Sequence, residues 1–114
     1  FAQIETHRRN SSATNFRLAS LTKQFLGFAI FRLECDGLLR RADAIGNYFS
    51  SAFNEKYPRL SREVTIAHLL EHRSGIFDYE DNALEQNSQW TDDDVLQHLS
   101  DSTHFPPGEQ FQYS

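Results

Sequence analysis

The 114-residue chain carries 11 Lys and Arg against 16 Asp and Glu, a formal net charge of −5. That balance excludes a nucleic-acid binder, which needs a basic patch to neutralise phosphates, and the pairs Arg8-Arg9 and Arg40-Arg41 are too short to supply one. A single cysteine, Cys35, rules out a disulfide within the chain, and no apolar run reaches the length of a membrane span.

The length suits one small domain, and ten Phe in an otherwise ordinary composition call for a packed core. No leader is read at Phe1, and the natural N-terminus is expected upstream. Phe1 to Ile4 reads as the tail of a strand, and the polar stretch Glu5 to Asn15 as a loop. The strongest helix follows, about Ser20 to Glu34, apolar around most of its circumference and therefore expected in the middle of a fold. Gly37 supplies its stop, and Cys35, between two acids that disfavour a thiolate, reads as a helix-end residue. Ala42 to Phe49 reads as a short helix or turn, and Ser50 to Arg62 as a connection holding Pro58. Thr65 reads as the N-cap of a helix to about His72, ended by Gly75. Ile76 to Gln89 is acidic and polar, which predicts an exposed loop. Thr91 caps a short helix from Asp92 to about Ser100, whose acidic first turn suits the helix dipole. Phe105-Pro106-Pro107-Gly108 is a rigid turn, and Phe111 to Ser114 begins something extended. Strand patterns are almost missing, so the chain is either an all-helical unit or one whose covering sheet lies outside the given residues.

Ser20-Leu21-Thr22-Lys23 is the first constellation with chemistry in it. Residues three apart share a helix face, so hydroxyl and amine can meet. At a helix start, free N–H groups and the positive dipole end favour an oxyanion and disfavour a further positive charge. A neutral amine there can take the serine proton, which is nucleophilic catalysis with an adjacent base. A lysine inside the most apolar helix also needs a reason to be there.

The flanks add a resemblance. Phe16-Arg17-Leu18-Ala19-Ser20-Leu21-Thr22-Lys23-Gln24-Phe25 resembles the nucleophile segment of the serine β-lactamase-like superfamily, which includes class C β-lactamases, D-alanyl-D-alanine carboxypeptidases, D-aminopeptidases and related esterases. Ile66-Ala67-His68-Leu69-Leu70-Glu71-His72-Arg73-Ser74-Gly75-Ile76 is similar to that family's helix-and-turn stretch, with Arg73 where Thr is more usual. Phe105 to Ser114 is similar to the run leading into its Tyr-x-Asn element. The three matches fall in order and span about Phe16 to Ser114.

The resemblance implies an α+β fold of the β-lactamase/transpeptidase kind, an antiparallel sheet flanked by helices. Residues 1–114 would form a mostly α-helical part of it, lacking the C-terminal sheet strands. It implies a serine hydrolase working by acyl transfer, with Ser20, Lys23 and Tyr113 as the catalytic residues and no cofactor or metal. The substrate would be a small molecule or peptide carrying a peptide, β-lactam or ester carbonyl, and the setting periplasmic or extracellular. The family's Lys-Thr-Gly or His-x-Gly strand, which supplies an oxyanion donor, falls outside the given residues. Losing one such donor lowers rates by roughly a hundred- to a thousand-fold, so the segment alone is expected to be inactive.

Two other readings stand beside this one. His68-Leu69-Leu70-Glu71-His72 fits the His-x-x-Glu-His pattern of inverted zinc peptidases, in which both histidines would share a helix face. The alternative to any enzyme is a non-catalytic scaffold with the same fold.

Overall fold

The computed structural model describes residues 4–78 and 91–113. The expected strand tail at Phe1 to Gln3 and most of the acidic loop, Tyr79 to Gln89, lie outside them. Among the described residues the secondary structure is helical, with two isolated antiparallel bridges, Ala44 with Thr65 and Ile76 with Thr103. The helices are α1 (Thr22–Cys35), α2 (Ser51–Lys56), α3 (Pro58–Glu63), α4 (Ile66–Leu70) and α5 (Asp92–Gln97).

The core is built from the stretch that the sequence reads as a connection. Ile45, Phe53, Tyr57, Leu60 and Val64 form one buried cluster, with Ile66, Ile76, Leu96 and Leu99 packed against it. Ser50 caps α2 by accepting the Phe53 N–H at 3.3 Å. Pro58 opens α3 at its first position, where a missing N–H does no harm. The next N–H groups, of Arg59 and Leu60, are taken by the Asp101 carboxylate at 3.0 and 3.1 Å. A side chain distant in sequence thus caps α3, and Tyr57 adds a second tie by donating its hydroxyl to the Leu96 carbonyl at 2.8 Å.

Helix α1 departs from its expected central position, because none of its residues is buried. Phe25 is 67% and Phe28 70% exposed. The described elements meet it along one stripe only, where Leu26 and Ile30 line an apolar crevice of about 300 Å³ with Leu39, Ile45, Ile66 and Leu70. Arg41 anchors the helix to α4. Its backbone N–H donates to Glu34 Oε1 at 2.8 Å and its Nε to Glu34 Oε2 at 2.5 Å, while its carbonyl accepts from Ala67 N. These bonds hold the Glu34 carboxyl below its ordinary value, the backbone bond most strongly.

Both α1 and α4 end in the same way. In α1, Gly37 N–H donates to Glu34 O and Leu38 N–H to Leu33 O, with Gly37 at a φ of 72°. In α4, His72 N–H donates to Leu69 O and Arg73 N–H to His68 O, with His72 at a φ of 53°. This is the Schellman arrangement, which places a left-handed residue just past the helix. In α4 that residue is His72, so the helix stops well before Gly75. Gly75 instead permits a close approach of two backbones, since a Cβ there would lie 2.5 Å from the Phe105 carbonyl oxygen.

The Gly75 neighbourhood belongs to a hydrogen-bonded zipper between residues 72–76 and the bent, turn-rich run 103–112, with one antiparallel bridge, Ile76 with Thr103. His104 N–H donates to Gly75 O at 2.8 Å, Gly108 N–H to Arg73 O at 2.8 Å, and Gln112 N–H to His72 O at 2.9 Å. The Arg73 guanidinium also donates to the Gly108 carbonyl. These bonds tie residues 104–112 to residues 72–75 and so fix where the chain enters Tyr113.

Candidate active site

Two residues one turn apart meet a third, about ninety positions on, at its hydroxyl oxygen. A single 3-10 turn, Ala19–Leu21, precedes α1 and carries Ser20. Ala19 enters it at a φ of 45°, a left-handed conformation that costs a residue with a Cβ about 1–3 kcal/mol. Lys23 follows in the first turn of α1. Ser20 Oγ lies 2.8 Å from the Tyr113 hydroxyl, and Lys23 Nζ donates to that same hydroxyl at 3.0 Å. The Lys23 Nζ also sits 4.9 Å from the Tyr113 ring centroid. The sequence predicts that hydroxyl and amine meet each other, whereas in the structure each bonds to the phenol. The Lys23 and Ser20 bonds, in that order, hold the Tyr113 pKa below the usual tyrosine value. Ser20 and Lys23 are exposed and Tyr113 is 55% exposed. The deep seat that an apolar helix suggested for Lys23 is therefore not formed by the described residues.

The zinc-peptidase pattern does not assemble. Helix α4 ends at Leu70, so His68 and His72 do not share a helix face. His68 is used in a capping box: its Nδ1 accepts the Thr65 N–H at 3.3 Å and its own N–H donates to Thr65 Oγ1 at 3.2 Å. His72 turns away toward Tyr113, their ring centroids 4.5 Å apart. Among the described residues no group of three metal-ligating side chains comes together.

His72 is the neighbour of the site that motif reading missed, since it looked like half of a metal pair. Its signal was weak, a large residue at the end of a short helix where glycine is more usual.

The beta-lactamase family model matches residues 1–114. Protein flp of Staphylococcus aureus (strain NCTC 8325 / PS 47) is 31% identical over 119 residues, an alignment covering 100% of this chain and 23% of the relative. Penicillin-binding protein 4* of Bacillus subtilis (strain 168) is 30% identical over 122 residues, covering 100% of this chain and 25% of the relative. The chain thus spans about a quarter of the length of these curated relatives. No solved structure matches it. With the family model covering every residue and the Ser20, Lys23 and Tyr113 side chains meeting at one oxygen, the chain belongs to the beta-lactamase family.

Proposed function

We propose that this chain is the nucleophile-bearing part of a serine hydrolase that acts by acyl transfer. Ser20 is the nucleophile, Tyr113 its proton acceptor and donor, and Lys23 the group that holds Tyr113 ready. The observation that carries this reading is the Tyr113 hydroxyl set 2.8 Å from Ser20 Oγ and 3.0 Å from Lys23 Nζ. A phenol held by an ammonium gives up its proton more readily. As phenolate it accepts the Ser20 proton while Oγ attacks a carbonyl carbon. The Tyr113 hydroxyl then returns that proton to the leaving group as the carbonyl bond re-forms and an acyl-enzyme results. Water attacks the acyl carbon and loses a proton to Tyr113, which passes it to Ser20 Oγ as the acyl bond breaks, restoring the phenolate and the serine hydroxyl.

The substrate class we propose is a peptide, β-lactam or ester carbonyl, in keeping with the name of the Bacillus relative. The exposed apolar face of α1 supports the further reading that residues 1–114 are part of a larger domain whose sheet covers that face. A setting outside the cytoplasm follows from the family resemblance alone.

A fluorophosphonate probe tests the proposal in the full-length protein that carries this segment. The wild type is expected to label at one serine, and Ser20→Ala to lose the label entirely. Undiminished labelling of Ser20→Ala would overturn the assignment, and a folded wild type that never labels would favour a non-catalytic scaffold.

A further inference from the structure

We infer that His72 is a positioning residue for Tyr113, holding the phenol beside Ser20 and Lys23 by packing its ring against it. The inference rests on the Ser20–Lys23–Tyr113 reading above and adds to it the element that sets the phenol's place.

Three observations converge on His72. Its backbone occupies the left-handed region at a φ of 53°. The equivalent position past α1 is Gly37, which meets the same requirement without a Cβ. A side chain is therefore kept at α4 where the backbone alone would favour none. That side chain has a use: its ring lies 4.5 Å from the Tyr113 ring, tilted by 33°, and 6.0 Å from the Phe111 ring in an edge-on arrangement. These separations fall in the range over which aromatic rings attract one another. The backbone of the same residue also fixes where the chain enters Tyr113, since its carbonyl accepts the Gln112 N–H at 2.9 Å.

One residue thus holds the neighbour of Tyr113 through its main chain and Tyr113 itself through its side chain. The phenol needs such support. It is 55% exposed and lies beyond the last hydrogen bond of the zipper. Without that ring against it, the Tyr113 side chain would sample other rotamers, and its hydroxyl would spend less time between Ser20 and Lys23.

The test is a double-mutant cycle on the labelling rate of Ser20 by a fluorophosphonate, in the full-length protein. His72→Asn keeps a residue that tolerates the left-handed backbone and removes the ring. The expected result is a loss of about tenfold in the inactivation rate constant. The probe concentration giving half-maximal rate should stay unchanged. In a Tyr113→Phe background, which lacks the hydroxyl to be positioned, the same substitution should change the rate by less than about twofold. An equal loss in both backgrounds, or none in either, would overturn the inference. Where His72→Asn does not fold, His72→Gly takes its place in the cycle, and failure of both to fold marks His72 as structural and also overturns it. A wild type that does not label removes the Ser20 reading and this inference with it. A wild type that labels, with an additive cycle, removes this inference alone.

Discussion

The hydrogen bonds at Tyr113 set the sign of a pH dependence. The Lys23 bond is the largest influence lowering the Tyr113 pKa, followed by the Ser20 bond. If the phenolate is the base, the labelling rate rises with pH through the Tyr113 pKa, with a midpoint below that of ordinary tyrosine. Lys23→Gln removes the main cause and moves the midpoint upward. Near neutral pH the variant should label more slowly, by about tenfold for each pH unit that the midpoint moves. It should recover as pH approaches the ordinary tyrosine value. A pH–rate profile of both proteins checks this, and parallel profiles with the same midpoint would count against Tyr113 as base. At this scale the sequence was informative about identity and silent about geometry. Ser20 and Lys23 are three apart and Tyr113 follows from the family pattern, but the oxygen at which they meet lies on the residue farthest away. His72 could not be read because its partner ring is fixed by the zipper, a pairing that leaves no local pattern.

Among the elements, the helices announced by Thr65 and Thr91 start where expected, each with a capping box, but end early, at Leu70 rather than His72 and at Gln97 rather than Ser100. The starting signals are local, a threonine N-cap whose hydroxyl takes a backbone N–H three residues on. The pair α2 and α3 was hidden by Pro58, which reads as a break although here it opens α3. What stabilises α3 is Asp101, and no window around Pro58 contains it. Asp101→Ala should therefore weaken the domain by about 1 kcal/mol, as lost N-caps do, read from the midpoint of urea unfolding. The anchor of α1 gives a second test. Because the Glu34 carboxyl is held low in the folded chain, its contribution is present above the ordinary glutamate pKa. It is lost as pH falls through the depressed folded value. Glu34→Gln should lower the melting temperature at neutral pH, and the gap from wild type should close in acid. A gap that stays constant with pH would show that the charge of Glu34 does not matter.

Across the whole molecule, the sequence pointed to a helix to be buried and to partners not yet visible. Among the described residues α1 is bare on most of its surface, while most of the buried hydrophobic residues lie between Ile45 and Val64, with Phe105 beyond them. The 114 residues prepared alone should therefore bind a hydrophobic dye strongly, associate with rising concentration, and show no turnover of an ester or β-lactam. Measurable turnover by the isolated segment would contradict the proposal that a covering sheet completes the site. The span of the site has a further consequence. Ser20 and Tyr113 are 93 positions apart, whereas the main buried cluster spans only Ile45 to Val64. Fraying of only the last few residues would part the Tyr113 hydroxyl from Ser20 and leave most of the core standing. On the proposed mechanism, a preparation can then pass every spectroscopic check of folding and still fail to react at Ser20, so counts of labelled Ser20, rather than of folded molecules, are the proper denominator for any rate that tests the proposal.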